Sequence, residues 1–268
     1  MIKFNWREYL IEAWGLGTFM LVASMFGTLI YAPASAVNAL VTNYIARGLL
    51  MGLLMGMTSI ILIYSPWGKR SGAHFNPAVT LTFYRLKKLR KVDTFFYIIF
   101  QFIGGLLGIL LASLILGQNF TEPPLDYLVT LPGKFGPSVA FFTELILAFG
   151  LILTVLVTSN INRVSNYTGY FASILITVYI LVAAPISGMS INPARSFASA
   201  VPAGIWDFFW IYYFAPPLGM LLAAEIYRRY FPSPKTICCK MCPNNEQTCI
   251  AIKCCDQCDD FVRQWRTN

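Results

Sequence analysis

The tripeptide Asn-Pro-Ala occurs twice, as Asn76-Pro77-Ala78 and as Asn192-Pro193-Ala194. Its three residue types together specify the start of a helix. Asparagine is a preferred N-cap, because its side-chain oxygen accepts from an orphan backbone amide of the first turn. Proline suits the first helical position, where its missing N–H costs nothing. Alanine then continues the helix. Each such start presents about half a positive charge at its N-terminus. With the cap oxygen engaged, the side-chain amide of each asparagine is left to donate. If two such starts meet inside a membrane, a small neutral molecule between them accepts from Asn76 and Asn192 and points its own hydrogens away. The converging positive ends repel hydronium and metal cations. A single copy is an ordinary capped helix, but two copies ask for elements that bring them together.

Those elements are apolar. Of 268 residues, 57% are hydrophobic and 12% charged, against about 25% charged in a soluble domain. A soluble globular protein is therefore excluded. A bilayer core about 30 Å thick needs about 20 apolar residues per helix, and six segments qualify: 9–31, 43–64, 93–116, 138–158, 168–186 and 207–228. Gly104, Gly105 and Gly108 in the third would let a neighbouring helix approach closely. Two further apolar stretches, Asn76 to about Tyr84 and Asn192 to about Ala203, are too short to span. Each follows a glycine-containing loop, Ser71-Gly72-Ala73-His74-Phe75 or Ser187-Gly188-Met189-Ser190-Ile191. One lies two spans into the chain and the other five. Each half then has an odd number of spans, so the halves have opposite topology, and their interrupted segments mark the site. The expected fold is an all-α membrane protein, with six transmembrane helices and two re-entrant half-helices in an inverted repeat.

The net charge of +8 does not point to nucleic acid, because the basic residues follow the topology. With the N-terminus cytoplasmic, Lys3, Arg7, Lys69, Arg70, Arg85, Lys87, Lys88, Arg90, Lys91, Arg163, Arg228 and Arg229 share one side, and Arg47 and Lys134 the other. This asymmetry puts both termini inside a multi-pass cell-membrane protein. The basic run 85–91 reads as a topology signal in contact with lipid headgroups. A cleavable leader is not expected, since the first apolar run is long enough to span.

The stretches Ser-Gly-Ala-His-Phe-Asn-Pro-Ala-Val-Thr (71–80) and Gly-Met-Ser-Ile-Asn-Pro-Ala-Arg-Ser-Phe (188–197) resemble the aquaporin (major intrinsic protein) family. The resemblance covers about residues 8 to 230. It implies tilted helices, one pore per subunit and a homotetramer. Glu12 and Glu144 look like the family's buried glutamates, which hold loop backbone in place and are not catalytic acids. Arg195 looks like the constriction arginine near the outer mouth. His74, the single histidine, falls at a position beside the cytoplasmic vestibule, where it packs or senses pH, and a structural role is favoured over a metal site.

The resemblance also implies a four-residue selectivity filter. Counting back without gaps from the two motifs places it at Gly56, Ile180, Met189 and Arg195. Water-selective members have Phe and His at the first two positions, and this chain has neither. Ser196, Ala200, Tyr212 and Tyr213 nevertheless look like the water-channel pattern. The expected function is passive conduction of water with exclusion of protons and ions, with no enzymatic activity and no cofactor in the pore. The alternatives are a broader channel for small uncharged solutes (glycerol, urea, ammonia, metalloid hydroxides) and, more remotely, a membrane junction or scaffold protein.

A boundary is expected near residue 231, separating a channel domain (1–231) from a cytoplasmic tail (232–268). All seven cysteines lie in the tail. Cys239-x2-Cys242 and Cys255-x2-Cys258 have spacing close to that of structural zinc sites. Zinc or another soft metal, palmitoylation and redox-active pairs are the readings left open, and a metal- or redox-sensitive tail could regulate the pore.

Overall fold

The computed structural model describes residues 4–161 and 163–231. The tail cysteines Cys239, Cys242, Cys255 and Cys258 lie outside the described residues. In chain order the helices are α1 (Trp6–Tyr31), the short α2 (Ala36–Leu40), α3 (Tyr44–Tyr64), the short α4 (Pro66–Ser71), α5 (Pro77–Arg85), α6 (Lys91–Leu116), the single turn α7 (Gln118–Thr121), α8 (Gly136–Ser159), α9 (Thr168–Ser187), α10 (Pro193–Ala203) and α11 (Phe209–Tyr230). Among the described residues there is no strand.

Six of these helices are long and apolar enough to cross a membrane: α1, α3, α6, α8, α9 and α11. The shortest, α9, has 20 residues, which at about 1.5 Å per residue reaches about 30 Å. The half-helices α5 and α10 have 9 and 11 residues. Set end to end they are about one span long. Both begin at the Asn-Pro-Ala motifs, and in both the asparagine oxygen caps the first turn. The Asn76 oxygen accepts from Ala78 N at 2.8 Å, and the Asn192 oxygen accepts from Ala194 N at 3.1 Å and Arg195 N at 3.3 Å.

The inverted repeat is visible in the packing. The pair α1–α6 in the first half matches α8–α11 in the second, and α3 meets α9 between them. Each half-helix crosses into the other half. Ala78, Val79 and Phe83 of α5 share a core with Ile152 of α8 and Met220, Ala223 and Tyr227 of α11. Ala194 and Ala198 of α10 share one with Leu16 and Met20 of α1 and Ile109 of α6.

Burial is inverted relative to a soluble protein. Large apolar side chains such as Ile45, Ile61, Leu114 and Ile146 face outward, where lipid is their solvent, while Glu12 and Glu144 have no exposed surface. Lipid is as apolar as leucine, so burial of leucines cannot drive the helices together, and close backbone packing must do so. Glycine supplies it at the α1–α6 crossing: a Cβ on Gly104 would strike the backbone of Ala13, and one on Gly108 that of Gly17.

One element departs from the sequence reading. A turn of helix, α4, stands between α3 and the first re-entrant loop, capped by Ser65 through Gly68 N at 2.9 Å. The second loop follows α9 directly.

Gly108→Val should cost the α1–α6 pair about 2 kcal/mol or more through overpacking. The readout is a lowered thermal midpoint of the detergent-solubilised protein in size-exclusion after heating. Leu114→Val on the lipid face should stay within about 0.5 kcal/mol of the parent. An unchanged midpoint for Gly108→Val would contradict the close crossing.

Candidate functional site

The re-entrant loops must reverse the chain within a few residues, and both do so with the same backbone. Gly72 and Gly188 end the preceding helices at φ of 99° and 77°. Ala73, Phe75, Met189 and Ile191 follow at φ of 54°, 47°, 46° and 47°, a region that side chains with a Cβ avoid. Such residues cost about 1–3 kcal/mol each unless their surroundings hold them.

The surroundings are two buried glutamates. Glu12 of α1 accepts from Ser71 Oγ at 2.7 Å, His74 N at 3.1 Å and Phe75 N at 2.6 Å. Glu144 of α8 accepts from Ser187 Oγ at 2.7 Å, Ser190 N at 2.9 Å and Ile191 N at 2.6 Å. Tyr97 and Tyr212 repeat the pattern one layer out, donating to the carbonyls of Ser71 and Ser187, each at 2.7 Å. A hydrogen bond to a charged group contributes about 1.5–3 kcal/mol, so three per loop exceed the strain of two left-handed residues. Desolvation of the buried carboxylate consumes much of the difference. The cradle therefore positions backbone more than it stabilises the fold.

The first half has one more layer. Gln101 of α6 donates to Glu12 Oε2 at 2.7 Å and to Thr80 Oγ1 at 3.0 Å. Thr80 Oγ1 also meets His74 Nδ1 at 3.1 Å. The His74 ring stacks on Phe83 at 5.0 Å between centroids. His74 is thus built into the α5 support and also borders the cavity described next.

The two motifs meet. Asn76 Nδ2 donates to the carbonyl of Ile191 at 2.8 Å, and Asn192 Nδ2 donates to the carbonyl of Phe75 at 2.8 Å. Each asparagine thus fastens its half-helix to the opposite loop. An amide has two N–H donors, so one per asparagine remains for a passing molecule, not the whole amide as the sequence alone suggested.

Both asparagines line one cavity of about 420 Å³. Its wall runs from Tyr31, Tyr44 and Leu128 at one end, past Arg195, Met189 and Ile180, to Leu62, Ile63 and Ala172 at the other. Three of the four filter positions counted from the sequence border it: Ile180, Met189 and Arg195. Gly56 does not. A Cβ there would strike Thr177 Oγ1 and the Ser173 carbonyl of α9, so Gly56 serves a helix crossing. The wall from α3 is made by Met51, Met55 and Ser59. Between that face and the motif stands the α4 turn, which a gapless count does not register. The four-residue spacing of Met51, Met55 and Ser59 was the signal that could have found this face.

Arg195 sits three residues after Asn192, in the first turn of α10. Its Nη1 donates to the carbonyl of Leu128 at 3.1 Å. The cavity thus combines an apolar wall, two amide donors, two helix N-termini and one guanidinium. This arrangement hydrogen-bonds neutral molecules and opposes cations.

Glu144→Gln puts an amide NH2 against backbone donors. It should lower unfolding stability by about 2–4 kcal/mol and reduce flux through reconstituted protein, because one of the Ser190 and Ile191 amides loses its acceptor oxygen. Parent stability in thermal denaturation would show that the carboxylate charge is not needed there.

A family model described as major intrinsic protein matches residues 2–227. The chain is 34% identical over 212 residues to the putative aquaporin NIP4-1 of Arabidopsis thaliana, covering 77% of this chain and 72% of that one. It is 34% identical over 233 residues to glycerol uptake facilitator protein-like 6 of Lactiplantibacillus plantarum, covering 81% of this chain and 95% of that one. The X-ray structure of the aquaglyceroporin from Plasmodium falciparum aligns with a TM-score of 0.66 at 21% identity, over 86% of this chain and 98% of that one. The last likeness is one of fold, and it agrees with six spans and two half-helices around a cavity. By its family match and its relatives, this chain belongs to the major intrinsic protein family of multi-pass membrane channels.

Proposed function

We propose that this channel conducts water passively and excludes protons and ions. The observation that supports this reading is the pair of crossed asparagines, Asn76 and Asn192, each with one N–H left toward a single apolar cavity. A water there accepts from both and cannot at the same time relay a proton along the file. The half-helix ends and Arg195 add a positive field against cations.

A second reading rests on the wall beside Arg195. Met55, Ile180 and Met189 are apolar there, two of them flexible thioethers, and one relative is named a glycerol uptake facilitator. That wall favours passage of small uncharged solutes such as glycerol, urea or ammonia alongside water. The basic flank of Arg7, Lys69, Arg70 and residues 85–91 supports a cytoplasmic location for that face in the cell membrane. A homotetramer is the assembly this family membership suggests.

Liposomes carrying the protein should shrink faster than empty ones under a sucrose gradient, with a lower activation energy. A barrier lowered by about 1.4 kcal/mol already gives tenfold. Equal rates would exclude a water channel and leave the scaffold alternative. Met55→Ala should raise glycerol or urea flux relative to water several-fold, while Gly56→Ala should act on folding rather than on the solute ratio. The opposite pattern would return the filter position to Gly56.

A further inference from the structure

The Leu128 carbonyl that receives Arg195 belongs to a single tight turn, closed by Leu128 N on the Leu125 carbonyl at 2.7 Å and Val129 N on the Asp126 carbonyl at 3.1 Å. Asp126, Tyr127 and Leu128 have φ of 42°, 56° and 55°, three consecutive left-handed residues with side chains. A segment this strained persists only where neighbours fix it. On one side the Leu128 side chain packs at Gly27 of α1. On the other side, two residues on, Thr130 is buried.

Thr130 Oγ1 lies 2.6 Å from Ser196 Oγ, and Ser196 Oγ lies 2.6 Å from Ser190 Oγ. Ser190 Oγ donates to the carbonyl of Asn192 at 3.0 Å. That last bond fixes the direction of the others. With the Ser190 proton on Asn192, Ser196 donates to Ser190 and Thr130 donates to Ser196. Every hydroxyl in the chain is then both donor and acceptor, except Thr130 at its head. The chain ties the turn carrying Leu128 to the residue following Arg195.

We infer that Thr130 is a positioning residue for Arg195: its hydrogen bond to Ser196 holds the Leu128 carbonyl where the guanidinium can donate to it, and so sets how far Arg195 stands across the cavity. This rests on the channel reading above, in which Arg195 limits what passes. The hydroxyl contact belongs to the second half alone, because in the first half the corresponding hydroxyl, Thr80, is engaged by His74 and Gln101.

The test is the glycerol-to-water permeability ratio of the full-length protein in liposomes, with Arg195→Ala as reference. Thr130→Val keeps the shape and removes the hydroxyl. It should move the ratio in the same direction as Arg195→Ala, by about three- to tenfold, the scale of one weakened hydrogen bond to a charged group. Thr130→Ser should restore the parent ratio. Ser196→Ala, which removes the partner hydroxyl, should reproduce Thr130→Val and carries the test if that variant does not insert. In an Arg195→Ala background Thr130→Val should add nothing, which a merely structural residue would not satisfy. A parent ratio in both Thr130→Val and Ser196→Ala, with Arg195→Ala shifted, would overturn the inference and leave the channel reading standing. Additive effects would also overturn it. An unshifted ratio in Arg195→Ala itself would overturn both.

Discussion

A backbone N–H within a membrane has no water to bond, and the re-entrant loops must leave helical geometry at that depth. The carboxylates of Glu12 and Glu144 meet this constraint, each receiving two consecutive loop amides and a serine hydroxyl. With those amides satisfied, the loops can hold the strained turns at Ala73, Phe75, Met189 and Ile191. The half-helices then start where their asparagines reach across to each other. The cavity, the donor pair and the start of the half-helix that carries Arg195 all follow from two buried carboxyl groups that do not line the cavity.

The repeat supplies the frame, and its departures from symmetry make the two sides of the cavity different. Val79 and Arg195 each stand three residues after a motif asparagine, and both border the cavity. Only one is charged, so the cavity carries a cation beside the start of α10 and an apolar side chain beside the start of α5. The supports differ accordingly. The first half braces its loop with Gln101 and His74 against Thr80. The second braces it with a hydroxyl chain that reaches Thr130 in the connection between α7 and α8. Thr130 lies in the connection between the two halves, so the bracing around Arg195 draws on a segment outside both half-helices.

Much of this was legible in the sequence because it is encoded locally. A cap, a first-turn proline and a following alanine lie within three residues, and a span shows in its own composition. The six expected spans end within three residues of those observed. Ile180, Met189 and Arg195 were countable because α9 runs into its loop without interruption. Gly56 was counted toward the cavity but packs on α9, and the α4 turn that separates α3 from the motif is not announced by composition. Gln101, Thr130 and the Leu128 carbonyl were not legible, since each acts through a partner 21 to 89 residues away. Three of those bonds end on side chains of ordinary type, and one on a backbone atom that carries no sequence signal.

The crossed asparagines also set an order of events during synthesis. Asn76 donates to a carbonyl 115 residues further along the chain, and Asn192 to one 117 residues back. At about 5–20 residues per second, the first half-helix waits roughly ten seconds before its partner loop exists. α5 also lacks α8 for the first part of that interval and α11 for all of it, and Ala78, Val79 and Phe83 share their core with both. A half-made chain therefore has spans but no pore. The conduit and the join between the halves are made by the same contacts, so neither is complete without the other.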